Sequence, residues 1–169
     1  MGRGDNVALF LRRSIPLVVG QLATLKLGAA YVPQHVGVAP ESQLRYVLDT
    51  TAATVILTLS DLADQIPVGE GETIIELDRF LADQASLADG QFLDHDLDRV
   101  PVEPDDRCFI LFSSGTTGNP NGVQVTHRNV GNVLLTAPGN LGNTVYVLDK
   151  IGGHAVSVRW ARCGAVATV

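Results

Sequence analysis

Apolar and polar positions along this chain change rhythm repeatedly, and the changes outline an alternating series of strands and helices. After Asn6, the run Val7-Ala8-Leu9-Phe10-Leu11 is unbroken and of strand length. Ser14 stands where a helix cap belongs, with Pro16 in the first turn that follows. Val18, Leu22, Leu25 and Ala29 then recur at i, i+4, i+7 and i+11, which predicts one apolar helical face with Gly28 as the C-cap. Tyr31-Val32-Pro33 reads as short and extended. Pro40-Glu41-Ser42 opens a second helix through about Asp49, and Thr54 to Thr58 is a β-branched strand. Ser60 or Asp61 is expected to cap a short helix ending at Gln65, and Thr73 to Leu77 is expected to be another strand. Residues 80–106 read as an acidic loop. Arg107 to Phe112 is a further buried strand, with a helix start at Thr126. The pattern predicts an α/β fold with a largely parallel sheet covered on both faces.

Composition narrows the function classes. The 169 residues are 46% apolar and 18% charged, enough for a packed core and too apolar for wholesale disorder. The formal net charge of −6 argues against nonspecific nucleic-acid binding, which rests on clustered Lys and Arg. Charge is unevenly shared: residues 1–142 carry a net −8 and residues 143–169 a net +2. Cys108 and Cys163 form no CxxC pair or metal-ligand spacing, so Cys108 is expected to be a small buried hydrophobe in its strand. Asp94, Asp96, Asp98, Asp105 and Asp106 lack the ordered spacing of a calcium loop and are expected to belong to a solvated linker. No apolar run approaches the roughly 20 residues of a membrane span, and the start resembles no signal peptide. The expected location is cytoplasmic.

The densest chemistry follows Phe112. Ser113-Ser114-Gly115-Thr116-Thr117-Gly118-Asn119-Pro120 places six glycine or hydroxyl residues in eight positions, and Asn121-Gly122 come next. Glycine lets the backbone turn N–H groups toward an anion, and hydroxyls reach oxygens that the backbone misses. In parallel α/β sheets ligands bind at the carboxyl ends of strands, where this strand–loop–helix connection is expected to lie. It is neither a P-loop, since Pro120-Asn121 stand at the Gly-Lys positions, nor a GxGxxG turn.

Ser114 to Gly122 resembles the phosphate-binding motif of the adenylate-forming superfamily, Ser-Gly-Thr-Thr-Gly-x-Pro-Lys-Gly. Leu25-Lys26-Leu27-Gly28-Ala29-Ala30-Tyr31-Val32-Pro33 is similar to a motif of the adenylation domains of nonribosomal peptide synthetases. Leu44 to Thr50, Val55 to Thr58 and Val125-Thr126-His127-Arg128-Asn129 fit the same domains. The likeness covers residues 4–142, a slice of the N-terminal subdomain. It implies a carboxylate, usually of an amino acid, attacking the α-phosphorus of Mg-ATP to give an acyl-adenylate and pyrophosphate. The acyl group then passes to the phosphopantetheine thiol of a carrier-protein domain. By the same resemblance Ser113, Ser114, Thr116 and Thr117 supply hydroxyls to the β- and γ-phosphates. Gly115 and Gly118 let the backbone approach, Asn121 and Gly122 complete the candidate site, and the protein supplies positioning rather than a nucleophile.

Two departures qualify the expectation. Asn121 replaces the family's Lys with a neutral amide, an expected loss of about 1–2 kcal/mol in holding phosphate. Residues 143–169, including Lys150, His154, Trp160 and Cys163, show no family pattern, as a shifted reading frame or retained intron would produce. The adenine, ribose and catalytic-lysine motifs are not found. The expected activity is therefore that of the parent enzyme, with the chain inactive, poorly soluble and molten or aggregated by itself. Two alternatives stand beside it: a nonenzymatic nucleotide- or anion-binding module, and a fragment of an acyl-CoA ligase.

Overall fold

The computed structural model describes residues 1–86, 100–113, 120–135 and 167–168. Their strands are β1 (Asn6–Phe10), β2 (Ala30–Gln34), β3 (Val55–Thr58), β4 (Thr73–Glu76), β5 (Arg107–Ser113), β6 (Asn121–Thr126) and β7 (Ala167–Thr168). The helices are α1 (Ile15–Lys26), α2 (Glu41–Thr51), α3 (Leu77–Ser86) and α4 (His127–Leu135). One sheet takes the order β4-β3-β1-β2-β5-β6-β7. Its first five strands are parallel, and β6 and β7 complete it antiparallel. The largely parallel α/β architecture expected from the sequence is the one observed.

Alternation along the strands divides the core into two faces. Ala8, Phe10, Val32, Ile56 and Ile110 point to one side and pack with Leu44, Val47 and Leu48 of α2. Val7, Leu9 and Leu57 point to the other and pack with Leu17 of α1 and Leu77 of α3. Farther along that second face, Cys108, Phe109 and Val125 pack with Leu25 of α1 and Val130 of α4. Helix α2 thus covers one face, and α1, α3 and α4 cover the other.

Of the face that apolar spacing predicts for helix α1, Leu25 and Ala29 pack against the core, but Val18 and Leu22 stay outside. Val18 is 52% and Leu22 59% exposed, while the buried positions are Gly20 and Thr24. Small residues win because they let the helix axis close on the sheet. A Cβ on Gly20 would stand 3.1 Å from Leu9 Cδ2, 3.2 Å from Leu57 Cδ1 and 3.4 Å from Leu77 Cδ1. Thr24 fits beneath because its hydroxyl donates to the Gly20 carbonyl at 2.7 Å. Ser14 is the N-cap by position, yet its hydroxyl turns back to donate to the Arg12 carbonyl at 3.0 Å. At the other end Leu27 is the last cap and Gly28 takes a φ of 74°. Gly28 N–H donates to Leu25 O and Ala29 N–H to Thr24 O, the paired bonds of a Schellman turn. The segment Leu25–Pro33 is therefore what turns α1 into β2.

Three other expectations are corrected. Thr73 to Leu77 is strand only to Glu76, and Leu77–Ser86 is helix rather than the start of a loop. Neither Ser60 nor Asp61 caps the short 3-10 turn Ala63–Gln65, which follows Leu62. Ser60 instead donates its N–H at 2.9 Å and its hydroxyl at 2.5 Å to Asp78, and Asp61 pairs with Arg12. These hydrogen bonds hold Asp78 below the usual carboxylate range. Asp94, Asp96 and Asp98 lie outside the described residues. Asp105 and Asp106 are paired rather than merely solvated: Asp105 accepts two bonds from Arg128, at 2.7 and 3.0 Å, and Asp106 one from Arg3 at 2.7 Å.

Candidate functional site

The hydroxyl-rich segment joins β5 to β6 as the connection of an antiparallel hairpin, not a strand-to-helix turn. The sequence reading missed β6 because Asn121 and Gly122 were absorbed into the loop motif. Val123 and Val125, alternating with Gln124 and Thr126, carried the period-2 signal that would have found it. The position relative to the sheet still matches expectation. Strand β5 runs parallel to β2, and β2 to β1, so Ser113 leaves at the carboxyl end shared with Phe10 and Gln34. A phosphate-binding loop belongs at that edge in a parallel sheet.

Of the candidate site residues, Ser113, Asn121 and Gly122 are described; Ser114, Gly115, Thr116, Thr117 and Gly118 lie outside the described residues. Ser113 and Asn121 face each other as the last ladder pair, both exposed, with the Ser113 hydroxyl 3.5 Å from the Asn121 carbonyl oxygen. One rung deeper, Gly122 pairs with Phe112 and is buried. A Cβ at Gly122 would lie 3.1 Å from Phe112 Cζ, 3.2 Å from Cε1 and 3.4 Å from Ile110 Cγ2. A side chain there would press on the Phe112 ring, so Gly122 has a packing role. That ring meets Tyr46 of α2 edge-on at 6.3 Å and 84°, so α2 braces the hairpin base.

The hairpin is fastened again where β6 enters α4. The Thr126 hydroxyl donates to Asn129 Oδ1 at 2.8 Å and accepts from the Asn129 N–H at 3.2 Å, while Thr126 N–H donates to Asn129 Oδ1 at 2.9 Å. This is a reciprocal cap with Asn in the place usually taken by Glu or Gln. His127 and Arg128 N–H groups donate to the Asp106 and Pro104 carbonyls at 3.0 and 2.7 Å. Their ion pairs with Arg128 and Arg3 hold the Asp105 and Asp106 carboxyls below the usual range. Thr126-His127-Arg128-Asn129 thus anchors the base of the hairpin.

Under the hairpin, Tyr31 stacks on Phe109 at 5.3 Å, and burial pushes its hydroxyl up to about 12. Cys108 is buried, as its place in the strand implied, and burial pushes its thiol up as well. Such a thiol is inert rather than nucleophilic. Among the described residues no group of three His, Cys, Asp or Glu side chains is placed to hold a metal ion. None of their helices is long and apolar enough to cross a membrane.

With a hydroxyl-rich loop placed at the carboxyl edge of a parallel sheet, comparison with known proteins becomes decisive. The profile of the AMP-binding enzyme family matches residues 1–155. The chain belongs to that family. It is 39% identical over 140 residues to adenylate-forming reductase 06235 of Coprinopsis cinerea, covering 82% of this chain and 13% of the reductase. It is 31% identical over 155 residues to gramicidin S synthase 1 of Brevibacillus brevis, covering 92% of this chain and 13% of the synthase. The solved N-terminal subdomain of Klebsiella oxytoca NpsA, in complex with 3-hydroxybenzoyl-AMSN, superposes with a TM-score of 0.61 at 29% identity. That match covers 82% of this chain and 32% of the NpsA chain. This AMP-binding chain therefore has the fold of an adenylation N-terminal subdomain and spans about an eighth of those two curated relatives.

Proposed function

We propose that this chain carries the triphosphate-holding loop of a domain that activates an amino acid with ATP, within a nonribosomal peptide synthetase of the cytoplasm. We also propose that residues 4–142 are the functional slice, that residues 143–169 add nothing to it, and that the chain alone does not turn over. The observation that carries the reading is the hairpin after Phe112: the family's Ser/Thr/Gly motif leaves β5 at the carboxyl edge of the sheet in a family member.

In the parent reaction a carboxylate oxygen bonds to the α-phosphorus of ATP. The bond from that phosphorus to the bridging oxygen breaks, and pyrophosphate leaves. Ser113, Ser114, Thr116 and Thr117 would donate to its oxygens, with backbone N–H groups at Gly115 and Gly118. Such donors favour the leaving group as charge collects on it. Ser113 and Asn121, exposed across the loop's base, are both neutral, so they suit hydrogen bonding rather than ion pairing. Magnesium would enter on the ATP phosphates, and phosphopantetheine on a carrier-protein domain would take up the acyl group.

The test has two arms. Amino-acid-dependent ATP–pyrophosphate exchange should be absent from this chain and present in a version extended to the length of its relatives. Direct titration with pyrophosphate should show salt-sensitive binding that Thr116→Ala with Thr117→Ala abolishes. Asn121→Lys should tighten it about tenfold, because a charged donor adds about 1–2 kcal/mol over a neutral one. Unchanged affinity in both variants would refute the loop's role. The neutral Asn121 favours a second reading, a nonenzymatic nucleotide- or anion-binding module. It predicts the same titration but no exchange in the extended protein. A fragment of an acyl-CoA ligase would differ by passing the acyl group to free coenzyme A.

A further inference from the structure

The two edges of the sheet are finished differently. At one edge, β4 is four residues long and set among carboxylates, with Glu70 and Glu72 just before it and Glu76 as its last residue. Arg45 pairs with Glu72 and Arg79 with Glu76, so both ends of β4 carry charge. Charge at an open edge opposes pairing with another chain. Toward the other edge, β6 has no such guard. Its six residues, Asn121-Gly122-Val123-Gln124-Val125-Thr126, include no charge and no proline, and three of them are β-branched. One side of β6 is taken up by β5. On its other side lies β7, antiparallel, with Thr168 opposite Val123 and Ala167 opposite Gln124. The AMP-binding profile matches residues 1–155, so β7 falls outside the part of the chain matched to the family.

We infer that β7 is an edge guard: the carboxyl-terminal segment of this chain pairs with β6 and closes the sheet against strand pairing with other chains. Placement carries the inference. The two pairs sit at the middle of β6, leaving Asn121-Gly122 on one side and Val125-Thr126 on the other. Neither remnant is long enough to seat a strand of ordinary length, about 5–6 residues. Strand β7 then becomes the terminal strand, and its two residues are too short a template for a further chain. The occupant is this chain's own segment, because the ladder joins residues of one polypeptide. Tethering makes that pairing intramolecular, so two rungs suffice where a free peptide of the same length would not stay bound. Composition fits the edge it covers: Gly164-Ala165-Val166-Ala167-Thr168-Val169 carries no charge that would be placed against the neutral β6. The inference concerns the sheet edge, and it rests on the ladder rather than on the proposed chemistry.

The experiment uses the full chain and needs no ATP, so its outcome is separate from that of the pyrophosphate titration. In a Cys163→Ser background, two cysteine pairs are placed in register, Val123→Cys with Thr168→Cys and Gln124→Cys with Ala167→Cys. A third pair, Gln124→Cys with Thr168→Cys, is out of register. Paired Cα atoms of an antiparallel ladder stand about 4.5–5.5 Å apart, within reach of a disulfide. Successive residues of a strand face opposite sides of the sheet, so the third pair should not close. After mild oxidation, at least one in-register pair should bridge within the chain at least fivefold more than the third pair, read on a non-reducing gel. Separately, Ala167→Pro with Thr168→Pro removes the β7 donors. It should speed hydrogen exchange at least tenfold at whichever of the Val123 and Gln124 amides faces β7, and leave Ile74 and Ile75 of β4 unchanged. It should also lower the concentration at which the chain associates at least fivefold by sedimentation. Where the proline variant exchanges fast at β4 too, its fold is lost and the cysteine pairs decide. Equal bridging of all three pairs, or of none, overturns the inference. So do in-register bonds formed mainly between chains, which would make the occupant a second copy. A folded proline variant with unchanged exchange and association overturns it as well.

Discussion

The two faces of the sheet are covered by helices of opposite design. Helix α2 buries Leu44, Val47, Leu48 and Thr51 and turns Glu41, Ser42 and Asp49 to solvent. Its outer side is finished by ion pairs: Arg45 reaches Asp49 on its own helix and Glu72 at the β4 entry, and it donates to the Pro67 carbonyl at 2.9 Å. Helix α1 fully buries only a glycine and a threonine, packs Leu17 and Leu25 partly, and leaves Ile15, Val18 and Leu22 outside. On one face the outer side chains are polar and ion-paired, and on the other they are apolar and exposed. A regular apolar repeat therefore does not by itself say which side of a helix meets the sheet.

The largest expected effect is at the finished face. Leu48→Ala should cost about 3 kcal/mol by urea denaturation, the cost of an emptied core site. Leu22→Ala in the otherwise unchanged chain removes a similar volume from the other helix and should cost under about 0.5 kcal/mol. Equal costs would erase the contrast between α1 and α2. Next comes Gly20→Val, which forces α1 off Leu9, Leu57 and Leu77 and should cost about 2 kcal/mol. A neutral result would mean that α1 does not rest on its small residues.

Acidity separates the faces more gently. Glu72 is held below the usual carboxylate range, chiefly by its hydrogen bonds with Arg45 and opposed by burial. Because its folded value is the lower one, its stabilisation is present above the unfolded value and fades as pH falls through the folded one. Glu72→Gln should therefore flatten the acid limb of the stability curve and cost about 1 kcal/mol at neutral pH. On the α1 face Tyr31 does the reverse. Its value rises to about 12, so its contribution is intact below about pH 10 and is lost as pH climbs from there toward 12. Tyr31→Phe should remove that alkaline loss, measured as melting temperature against pH.

Much of the fold was legible because β1, β2, β3 and β5 are continuous apolar runs, which a strand buried on both sides requires. Helix α3 was missed because residues 80–86 were read together with the acidic stretch that follows, as one loop over 80–106. Only the folded chain shows Asp78 accepting from Ser60 across eighteen residues at the helix start. The burial of α1 was misread because Gly20 carries no hydrophobic signal, although its lack of a side chain is what fixes the packing. At the candidate site the motif was legible residue by residue, but its setting was not. A hairpin and a strand–helix turn share the same turn residues, and the choice between them lies in the pairing of β5 with β6. Leu25–Pro33, the segment used to recognise the family branch, acts in the structure through the Gly28 turn rather than near the loop.

The last rung of the hairpin carries a thermodynamic consequence. Ser113 and Asn121 are already partners in the ladder, so the chain's own pairing fixes the two feet of the segment between them. If the segment binds an anion as proposed, the ligand is spared the entropy of drawing distant ends into a ring and need only settle the torsions within it. Weakening Phe112 against Gly122 should thus cost ligand affinity without touching a single donor.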